Sequence, residues 1–294
     1  MGIREVDKYC GKSQSDTGEY VMGKKIGIIG NGFVGNAIHE GLRPYHDIYV
    51  YDKLKEKCLH SLGDINKTKY VFICVPTPMG TSGEIDLTYL KDSIKKLKKN
   101  KILVIKSTVT PAAAEELIEI YPHHDFVFNP EFLTERTAVE DFKNPSRIVL
   151  GGDTRICNLV RNLYSPLFPQ VKYIITDHKT ACFTKYFCNC FFATKISIIN
   201  EFRQIADSDN IDWNTALEGL LSSGWVNPMH TLVPGPDGHF GFGGKCFPKD
   251  INAFSDYASK LGIDTSMLRS AWRKNLSIRE DKNWLTILGA IVKN

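Results

Sequence analysis

The sequence predicts an α/β fold in which a doubly wound parallel sheet is followed by an all-α part. Three observations predict it: short, continuously apolar runs recur between residues 26 and 150, helix-length stretches separate them, and the apolar period becomes helical after about residue 177. Continuous apolar runs are typical of parallel strands that helices cover on both faces. With 294 residues, 43% of them hydrophobic and 24% charged, the chain has the composition of a globular protein of about two domains.

The individual elements follow from the same patterns. The predicted strands span residues 26–29, 48–51, 70–75, 102–105, 126–128 and 148–150. Residues 178–207 are apolar on nearly every face and contain no glycine or proline, which predicts a helix buried on all sides by other helices and by a second subunit. Further helices are predicted over 212–222, 248–261 and from 265 to the end. A Gly- and Pro-rich loop at 227–247 separates them, and loops of that length are usually functional or disordered.

These elements divide the chain into three parts. Residues 1–22 are polar, show neither period, and are predicted to be an extension outside the core. The sheet domain is predicted over 23–177 and the helical domain over 178–294.

Composition excludes several functional classes. A formal net charge of +4 is too small to predict duplex nucleic acid as a partner, and the densest basic run, 95–101, is explained as a solvated helix terminus. The eight cysteines have no repeated CxxC spacing, which argues against a disulfide framework or a metal site. No signal peptide or membrane span is apparent, and we expect a reduced, cytoplasmic setting without a membrane partner.

A glycine-rich turn follows the first predicted strand directly and opens a helix. In Gly30-Asn31-Gly32-Phe33-Val34-Gly35 the missing side chains allow backbone N–H groups to approach a pyrophosphate at the helix amino terminus. Asp52 ends the next strand, where a carboxylate accepts hydrogen bonds from the ribose hydroxyls of NAD. The turn therefore predicts a Rossmann-like dinucleotide site for NAD, although Lys53 and Lys55 leave NADP open.

Unusual residues follow the other predicted strands at the edge where ligands of parallel sheets gather. They are Val75-Pro76-Thr77 after the third strand, Ser107-Thr108 after the fourth, and 129–135 after the fifth. Each alone is explained by turn and capping chemistry, but their shared edge predicts a cleft. Glu131 and Glu135 lie four residues apart, and on a helix begun by Pro130 they would share a face.

Two further segments could carry chemistry. On the long helix, Lys185 lies among aromatic residues and is expected either to reach solvent or to face an anion, with Asn189 one turn away helping to hold an oxyanion. Cys246 lies just before a helix that Pro248 opens, between Lys245 and Lys249. The helix terminus and both lysines are expected to lower the pKa of the thiol and to favour a thiolate nucleophile.

Taken in order, several motifs resemble the UDP-glucose 6-dehydrogenase family, which also contains GDP-mannose and UDP-N-acetylmannosamine dehydrogenases. The motifs are GNGFVG, VPTP, KSTV, NPEFLTE, KYFCN followed by ATKISIINE, and GFGGKCFPKD, and the resemblance covers about residues 24–290. It implies a four-electron oxidation of a nucleotide sugar's primary alcohol to a carboxylate, with two NAD molecules used in succession. It also implies that Cys246 forms a thiohemiacetal and then a thioester, which water cleaves.

The resemblance also assigns roles by motif position. Lys185 and Asn189 would stabilise the oxyanion, Glu131 would assist hydrolysis with Thr108 and Asp250 holding the water, and Glu135 would contact substrate or assist the base. The implied cofactor contacts are Gly30, Gly32, Phe33, Val34, Gly35, Asp52, Val75, Pro76, Thr77, Thr108 and Glu135. The implied substrate contacts are Glu131, Phe132, Leu133, Lys185, Asn189, His230, Gly243, Cys246 and Lys249.

The sequence departs from the family pattern at several places. A third, carboxy-terminal α/β domain is usual in the family, so the sequence is expected to represent a short form without it. His230 stands where the family offers an arginine to the neighbouring subunit's sugar, Lys245 replaces a small residue, and the loop 233–238 differs.

The sequence is compatible with three hypotheses. The first is an NAD-dependent nucleotide-sugar 6-dehydrogenase that acts on UDP-glucose and forms a homodimer through the long helix. The second is a relative that binds NAD without turnover and serves a binding or regulatory role. The third keeps the chemistry but changes the substrate to GDP-mannose or UDP-N-acetylmannosamine.

Overall fold

A seven-stranded sheet forms one half of the structure, a computed structural model that describes residues 22–292. The spatial order of the strands is β2-β1-β3-β4-β5-β6-β7. Their bounds are β1 Lys25–Ile29, β2 Asp47–Tyr51, β3 Tyr70–Ile73, β4 Ile102–Ile105, β5 Asp125–Phe128, β6 Arg147–Gly152 and β7 Lys172–Thr176. The predicted extension lies outside the described residues except for Met22.

The predicted doubly wound sheet is confirmed, with two corrections. All neighbouring strands are parallel except β5 and β6, which are antiparallel, a reversal that the predicted parallel sheet did not include. The edge strand β7 was not predicted because its residues are only half-buried or exposed and form no continuous buried run. Because β6 is antiparallel to β5, its first residue, Arg147, lies at the same edge of the sheet as the carboxyl ends of β1 to β5.

Helices cover both faces of the sheet. In this half they are α1 Phe33–Leu42, α2 Leu62–Ile65, α3 Thr88–Lys95, α4 Pro111–Ile120, α5 Ala138–Lys143 and α6 Thr154–Tyr164. Alternate strand residues enter two separate cores, for example Phe72 and Val104 on one face and Ile73 and Leu103 on the other. This two-sided burial explains the continuous apolar runs in the sequence.

The second half is helical, as predicted. It contains α7 His178–Ser208, α8 Trp213–Leu221, α9 Phe247–Lys260 and α10 Ser266–Ile278. The side chain of Asp177 caps α7 by accepting a hydrogen bond from the Thr180 backbone N–H, 2.9 Å away. A third core, which includes Ala193, Phe242 and Ile251, joins α7, α9 and α10. Among residues 22–292, no helix is both long enough and apolar enough to span a bilayer.

The predicted burial of α7 on all sides stays a prediction, because it includes a second subunit: within this chain one face is exposed, with Phe187 and Phe202 each 60% accessible. One prediction for this half was wrong. The last helix does not continue to the end, since α10 stops at Ile278. The following residues return to the sheet half, where Ile291 forms a β-bridge with Met79, and Trp284 is buried against Trp272 at 5.4 Å between ring centroids.

Candidate functional site

A cavity of about 570 Å³ lies at the carboxyl ends of the parallel strands. The glycine turn, the ends of β2, β3 and β4, and the segment that opens α9 contribute to its wall. This is the edge that the sequence predicted, because chain reversal between neighbouring parallel strands leaves a crevice there. The predicted site residues that line it are Gly30, Gly32, Phe33, Val34, Asp52, Val75, Pro76, Thr77, Thr108, Glu131, Glu135, Cys246 and Lys249.

The geometry of the turn fits a dinucleotide phosphate. A Cβ at Gly35 would lie 1.9 Å from the Gly30 carbonyl oxygen, and Gly30 itself has a φ of +94°, so neither position accepts a side chain without strain. Gly32, by contrast, has open space where its Cβ would be and forms the N-cap of α1 without any side-chain cap. The first N–H groups of α1 therefore lack a side-chain acceptor and adjoin the cavity, as phosphate binding requires.

Asp52 joins the turn to the end of β2. One carboxylate oxygen accepts a hydrogen bond from the Asn31 N–H at 2.6 Å, and the other accepts one from the Leu54 N–H at 2.8 Å. These bonds fix the carboxylate in the cavity wall, where it can still accept bonds from ribose hydroxyls. Lys53 and Lys57 line the same end of the cavity.

Glu131 and Lys185 form a buried ion pair. The Lys185 ammonium lies 3.1 Å from Glu131 Oε1 and 2.5 Å from the Glu131 carbonyl oxygen, and Glu131 Oε2 accepts a bond from the Leu133 N–H at 2.7 Å. Burial alone would lower the pKa of Lys185. The negative charge of Glu131, and to a smaller extent Cys246 and Asp250, outweigh burial and raise that pKa above its ordinary value. The sequence expectation that Lys185 faces an anion is thus met by a carboxylate of the protein.

The expected helix over Glu131 and Glu135 is absent. Residues 129–134 are extended or irregular, and only a 3-10 turn, Glu135–Thr137, follows them. Since the Glu131 carboxylate bonds the N–H two residues ahead, it closes a local turn that replaces the helical hydrogen bonds. Both glutamates nevertheless line the cavity.

Asp250 is the centre of a second buried group. One of its carboxylate oxygens accepts a hydrogen bond from Asn189 Nδ2 at 2.5 Å, and the other forms an ion pair with Lys249. Its backbone N–H donates to the Cys246 carbonyl at 2.8 Å in the first turn of α9. The long helix α7 therefore places Lys185 beside Glu131 and Asn189 beside Asp250, one helical turn apart.

Cys246 lies where the sequence predicts, at the start of α9, but its thiol does not have the lowered pKa that the sequence predicts. It is the N-cap of α9, with Pro248 in the first turn, and it lines the cavity. Burial raises the pKa of the Cys246 thiol to about 11, and Glu131 and Asp250 add to the increase, while Lys185 and Lys249 oppose it. The prediction of a lowered pKa was therefore wrong, because it counted the neighbouring lysines and the helix terminus but neither the burial nor the carboxylates that pair with those lysines.

The glycine loop before Cys246 is clamped by asparagine side chains. Asn200 Oδ1 accepts from the Gly241 N–H, Asn275 exchanges two bonds with the Phe242 backbone, and Asn283 Oδ1 accepts from the Gly244 N–H. The buried Arg279 packs against Gly243, where a Cβ would lie 2.3 Å from its guanidinium, and pairs with Asp237 at 2.8 Å. None of these clamping residues was singled out from the sequence, since each lies some 33 to 42 residues from its partner.

Some predicted residues lie away from the cavity. The ring of His230 packs inside this chain against Phe192 and Phe247, at 4.8 and 5.5 Å between centroids, and burial lowers its pKa. Phe132 and Leu133 line a second cavity of about 270 Å³ on the far side of Glu131. The contacts of His230, Gly243, Phe132 and Leu133 with a substrate remain predictions.

Several cavity residues were missed. The prediction that the run 95–101 is a solvated helix terminus is wrong for two of its residues: Lys96 lines the cavity, and Lys101 is buried, with its ammonium bonded to the Asn66 carbonyl at 2.9 Å. Residues 287–289 line the cavity because the segment after α10 returns to the loop that follows β3, where Ile291 bridges to Met79, a contact that no local pattern indicates. Other wall residues outside the predicted set are Cys74, Tyr89, Lys106 and Lys245.

Two family models match the chain. The NAD binding domain of the UDP-glucose/GDP-mannose dehydrogenase family matches residues 59–168, and the central domain of the same family matches residues 179–277. Together the two ranges span well over half of the chain.

Individual relatives agree with these matches. A UDP-glucose 6-dehydrogenase of Rickettsia typhi is 38% identical over 234 residues, which is 76% of this chain and 52% of that protein. Another, from Pseudomonas aeruginosa, is 33% identical over 226 residues, covering 71% of this chain and 49% of its own. The chain thus spans about half the length of these curated relatives.

The fold is shared with solved structures. A UDP-glucose dehydrogenase from Pyrobaculum islandicum superposes with a TM-score of 0.78 at 24% identity, covering 87% of this chain and 68% of that one. A UDP-D-ManNAc dehydrogenase from Pyrococcus horikoshii gives a TM-score of 0.75 at 21% identity, covering 86% of this chain and 68% of its own. These two likenesses bear on the fold alone.

Proposed function

The chain belongs to the UDP-glucose/GDP-mannose dehydrogenase family, and from that membership we propose that it oxidises the C6 alcohol of a nucleotide sugar, UDP-glucose, to the carboxylate. The observation that carries the proposal is that the Cys246 thiol and the glycine turn of the NAD-binding part line one cavity. NAD, when bound, supplies a hydride acceptor. A thiol beside that acceptor allows an aldehyde to be held covalently and oxidised further.

The residues around Cys246 support the covalent chemistry. When the thiol adds to an aldehyde, negative charge develops on the former carbonyl oxygen. Lys185 and Asn189 lie on the α7 face that adjoins Glu131 and Asp250, and their donors are suited to that charge because they are buried and already oriented.

Hydrolysis of the resulting thioester needs a base and a positioned water. Glu131 is the carboxylate proposed to accept the proton, since it lines the cavity together with Cys246 and Thr108. Asp250 is proposed to help hold the water or its donors, through Asn189 and Lys249. Glu135, in the cavity wall, is proposed to contact the substrate.

A substrate panel tests the proposed function. Purified protein is mixed with NAD and, in separate reactions, UDP-glucose, GDP-mannose or UDP-N-acetylmannosamine, and NADH absorbance is followed beside chromatography of the sugar product. We expect two NADH per UDP-glucose and a nucleotide-linked uronic acid. Cys246→Ser should form no acid, while the matched control Cys58→Ser, whose thiol lies outside the cavity wall and bonds the His60 carbonyl, should be unaffected.

The outcomes separate the remaining hypotheses. Turnover with GDP-mannose or the N-acetylated sugar alone keeps the chemistry and changes the substrate. NAD binding by calorimetry without NADH from any sugar contradicts the proposed activity and supports the binding relative. Replacing NAD by NADP settles the cofactor choice at Asp52.

We also propose a homodimer formed through α7. The exposed face of this helix carries a line of large apolar side chains, which a monomer would leave in water: Phe183, Phe187, Phe191, Ile198, Phe202 and Ile205. Contiguous apolar surface of this kind marks an interface.

The division into domains at residues 177 and 178 and the cytoplasmic setting also remain proposals.

Light scattering after size-exclusion chromatography tests the dimer. Phe187→Glu together with Phe202→Glu should convert a dimer to a monomer, whereas the matched change Leu261→Glu, at a residue 60% accessible just past the end of α9, should not. A wild-type monomer at micromolar concentration contradicts the proposal.

A further inference from the structure

Lys106 is a buried cation that the chemistry proposed above does not use. It follows β4 directly, in the KSTV motif, and only 7% of the residue is accessible. Among residues 22–292 its ammonium has no carboxylate within 4.0 Å, in contrast to the buried Lys185 and Lys249, which each have one. Because burial of an uncompensated charge is costly, a cation kept in this state needs an explanation.

The position of Lys106 is specific. Of the described residues that line the two cavities, only Lys106 and Glu131 line both. They therefore form the partition between the cofactor cavity and the second cavity. The two charges attract each other, and the Glu131 carboxylate also pairs with Lys185 at 3.1 Å.

A short chain of bonds connects Lys106 to the loop that carries Glu131. Its ammonium donates to Asn129 Oδ1 at 3.0 Å, and the Tyr164 hydroxyl donates to the same oxygen at 2.6 Å. The Asn129 amide in turn donates to the Val149 carbonyl at 2.8 Å. Asn129 is thus fixed in one orientation, and only Pro130, with its restricted φ, separates it from Glu131.

We propose that Lys106 is the positioning residue for Glu131 in thioester hydrolysis: through Asn129 and by its charge it holds the carboxylate in the partition, ready to take a proton from water. The inference rests on the proposed function. In that step the water oxygen bonds to the acyl carbon, the carbon–sulfur bond breaks with its electron pair going to Cys246, and a proton of the water passes to Glu131. Lys106 touches none of the reacting atoms.

The charges that act on Glu131 support this role. Two buried cations attract its carboxylate: Lys185, which pairs with Glu131 Oε1 at 3.1 Å, and Lys106, whose pKa the Glu131 charge raises in opposition to burial. Without Lys106, Lys185 alone of these two would hold the carboxylate.

The state of Lys106 can change with pH. Burial lowers its pKa to about 8; Cys74 and Glu131 raise it in opposition, and Lys185 lowers it further. Tyr164, from α6, also faces the group through Asn129 Oδ1. Since the ammonium is present below that pKa and lost above it, hydrolysis should slow as pH rises through about 8.

Separating the two half-reactions tests the proposal. Wild type, Lys106→Met, Lys106→Arg and the matched control Lys101→Met are mixed with NAD and UDP-glucose, the NADH burst and steady-state turnover are recorded, and acid-quenched protein is weighed by mass spectrometry. Lys101 is the control because it is equally buried but precedes β4, at the opposite edge of the sheet.

We expect Lys106→Met to keep the burst but to turn over at least about tenfold more slowly, with an acyl adduct accumulating on Cys246. Lys106→Arg should recover part of the rate, and the alkaline decline of kcat near pH 8 should move upward because arginine stays charged.

Two results overturn the proposal and differ from each other. In the first result, wild type turns over, but Lys106→Met loses the burst and the turnover equally, accumulates no adduct and behaves like Lys101→Met. Lys106 would then have only a structural role. If wild type makes no NADH with any sugar of the panel, the proposed function fails and the role of Lys106 fails with it.

Discussion

The charge state of Cys246 can be measured by alkylation. With a pKa of about 11 instead of 9.0, roughly one thiol in ten thousand is ionised at pH 7 rather than roughly one in a hundred. The more basic thiolate is the better nucleophile and regains roughly a factor of eight. Cys246 should therefore react with iodoacetamide about tenfold more slowly than an ordinary thiol, before any effect of access.

The pH profile separates charge from access, because restricted access lowers the rate equally at every pH. The rate at the Cys246 peptide, followed by mass spectrometry, should rise about tenfold per pH unit without a plateau below about pH 10. Cys246→Ser identifies the peptide, and a small free thiol in the same reaction provides the reference rate.

Two substitutions should move the profile in opposite directions. Glu131→Gln removes a charge that raises the thiol pKa and frees the Lys185 cation, so labelling at pH 7 should quicken by about tenfold. Lys185→Met removes a cation that lowers the pKa and should slow labelling. A wild-type plateau at or below about pH 8, or equal shifts in both variants, would refute the reasoning.

Three further predictions concern the walls of the site. Gly35→Ala should lower the unfolding midpoint sharply, because the added Cβ would meet the Gly30 carbonyl. Gly32→Ala should fold normally, since its Cβ meets open space, yet bind NAD at least about tenfold more weakly. Normal NAD binding by Gly32→Ala in calorimetry would contradict the assignment of the glycine turn as the phosphate site. Asn275→Ala leaves two buried Phe242 backbone groups unpaired and should cost about 3 kcal/mol in urea unfolding; a cost under about 1 kcal/mol contradicts the clamp. Gly289 has a φ of +76°, and a Cβ added there would lie 2.8 Å from Cβ of Pro76 in the cavity wall. Gly289→Val should therefore displace this segment and weaken NAD binding several-fold. Unchanged binding would place the segment outside the part of the wall that contacts the cofactor.

The sheet was predictable where burial on both faces made the strands uniformly apolar. The central strands β1, β3 and β4 agree with the prediction to within two residues at each end, because each is buried along almost its whole length. The edge strand β7 has no fully buried residue and left no such signal. The direction of β6 could not be read from apolar runs, which are the same in either direction.

The site was predictable where short motifs follow strands or open helices. The glycine turn and Thr108 line one cavity as expected because strand order brings those strand ends together, and Cys246 joins them from the start of α9. The clamp on the glycine loop and the wall at 287–289 depend on contacts between distant segments, so no local spacing indicated them. The prediction of the Cys246 thiol pKa was wrong for a related reason: the sequence shows which residues are neighbours along the chain, but it does not show burial.

A neutral resting thiol places a requirement on the proposed reaction, because the proton must leave as the sulfur attacks. Both adjacent carboxylates are engaged: Glu131 pairs with Lys185, and Asp250 pairs with Lys249. A carboxylate that accepted the thiol proton would lose its attraction for its lysine, and the released ammonium would then stabilise the new thiolate or oxyanion. Proton transfer and anion stabilisation would thus be one event, which explains how paired lysines can serve a reaction even though they leave the resting thiol protonated.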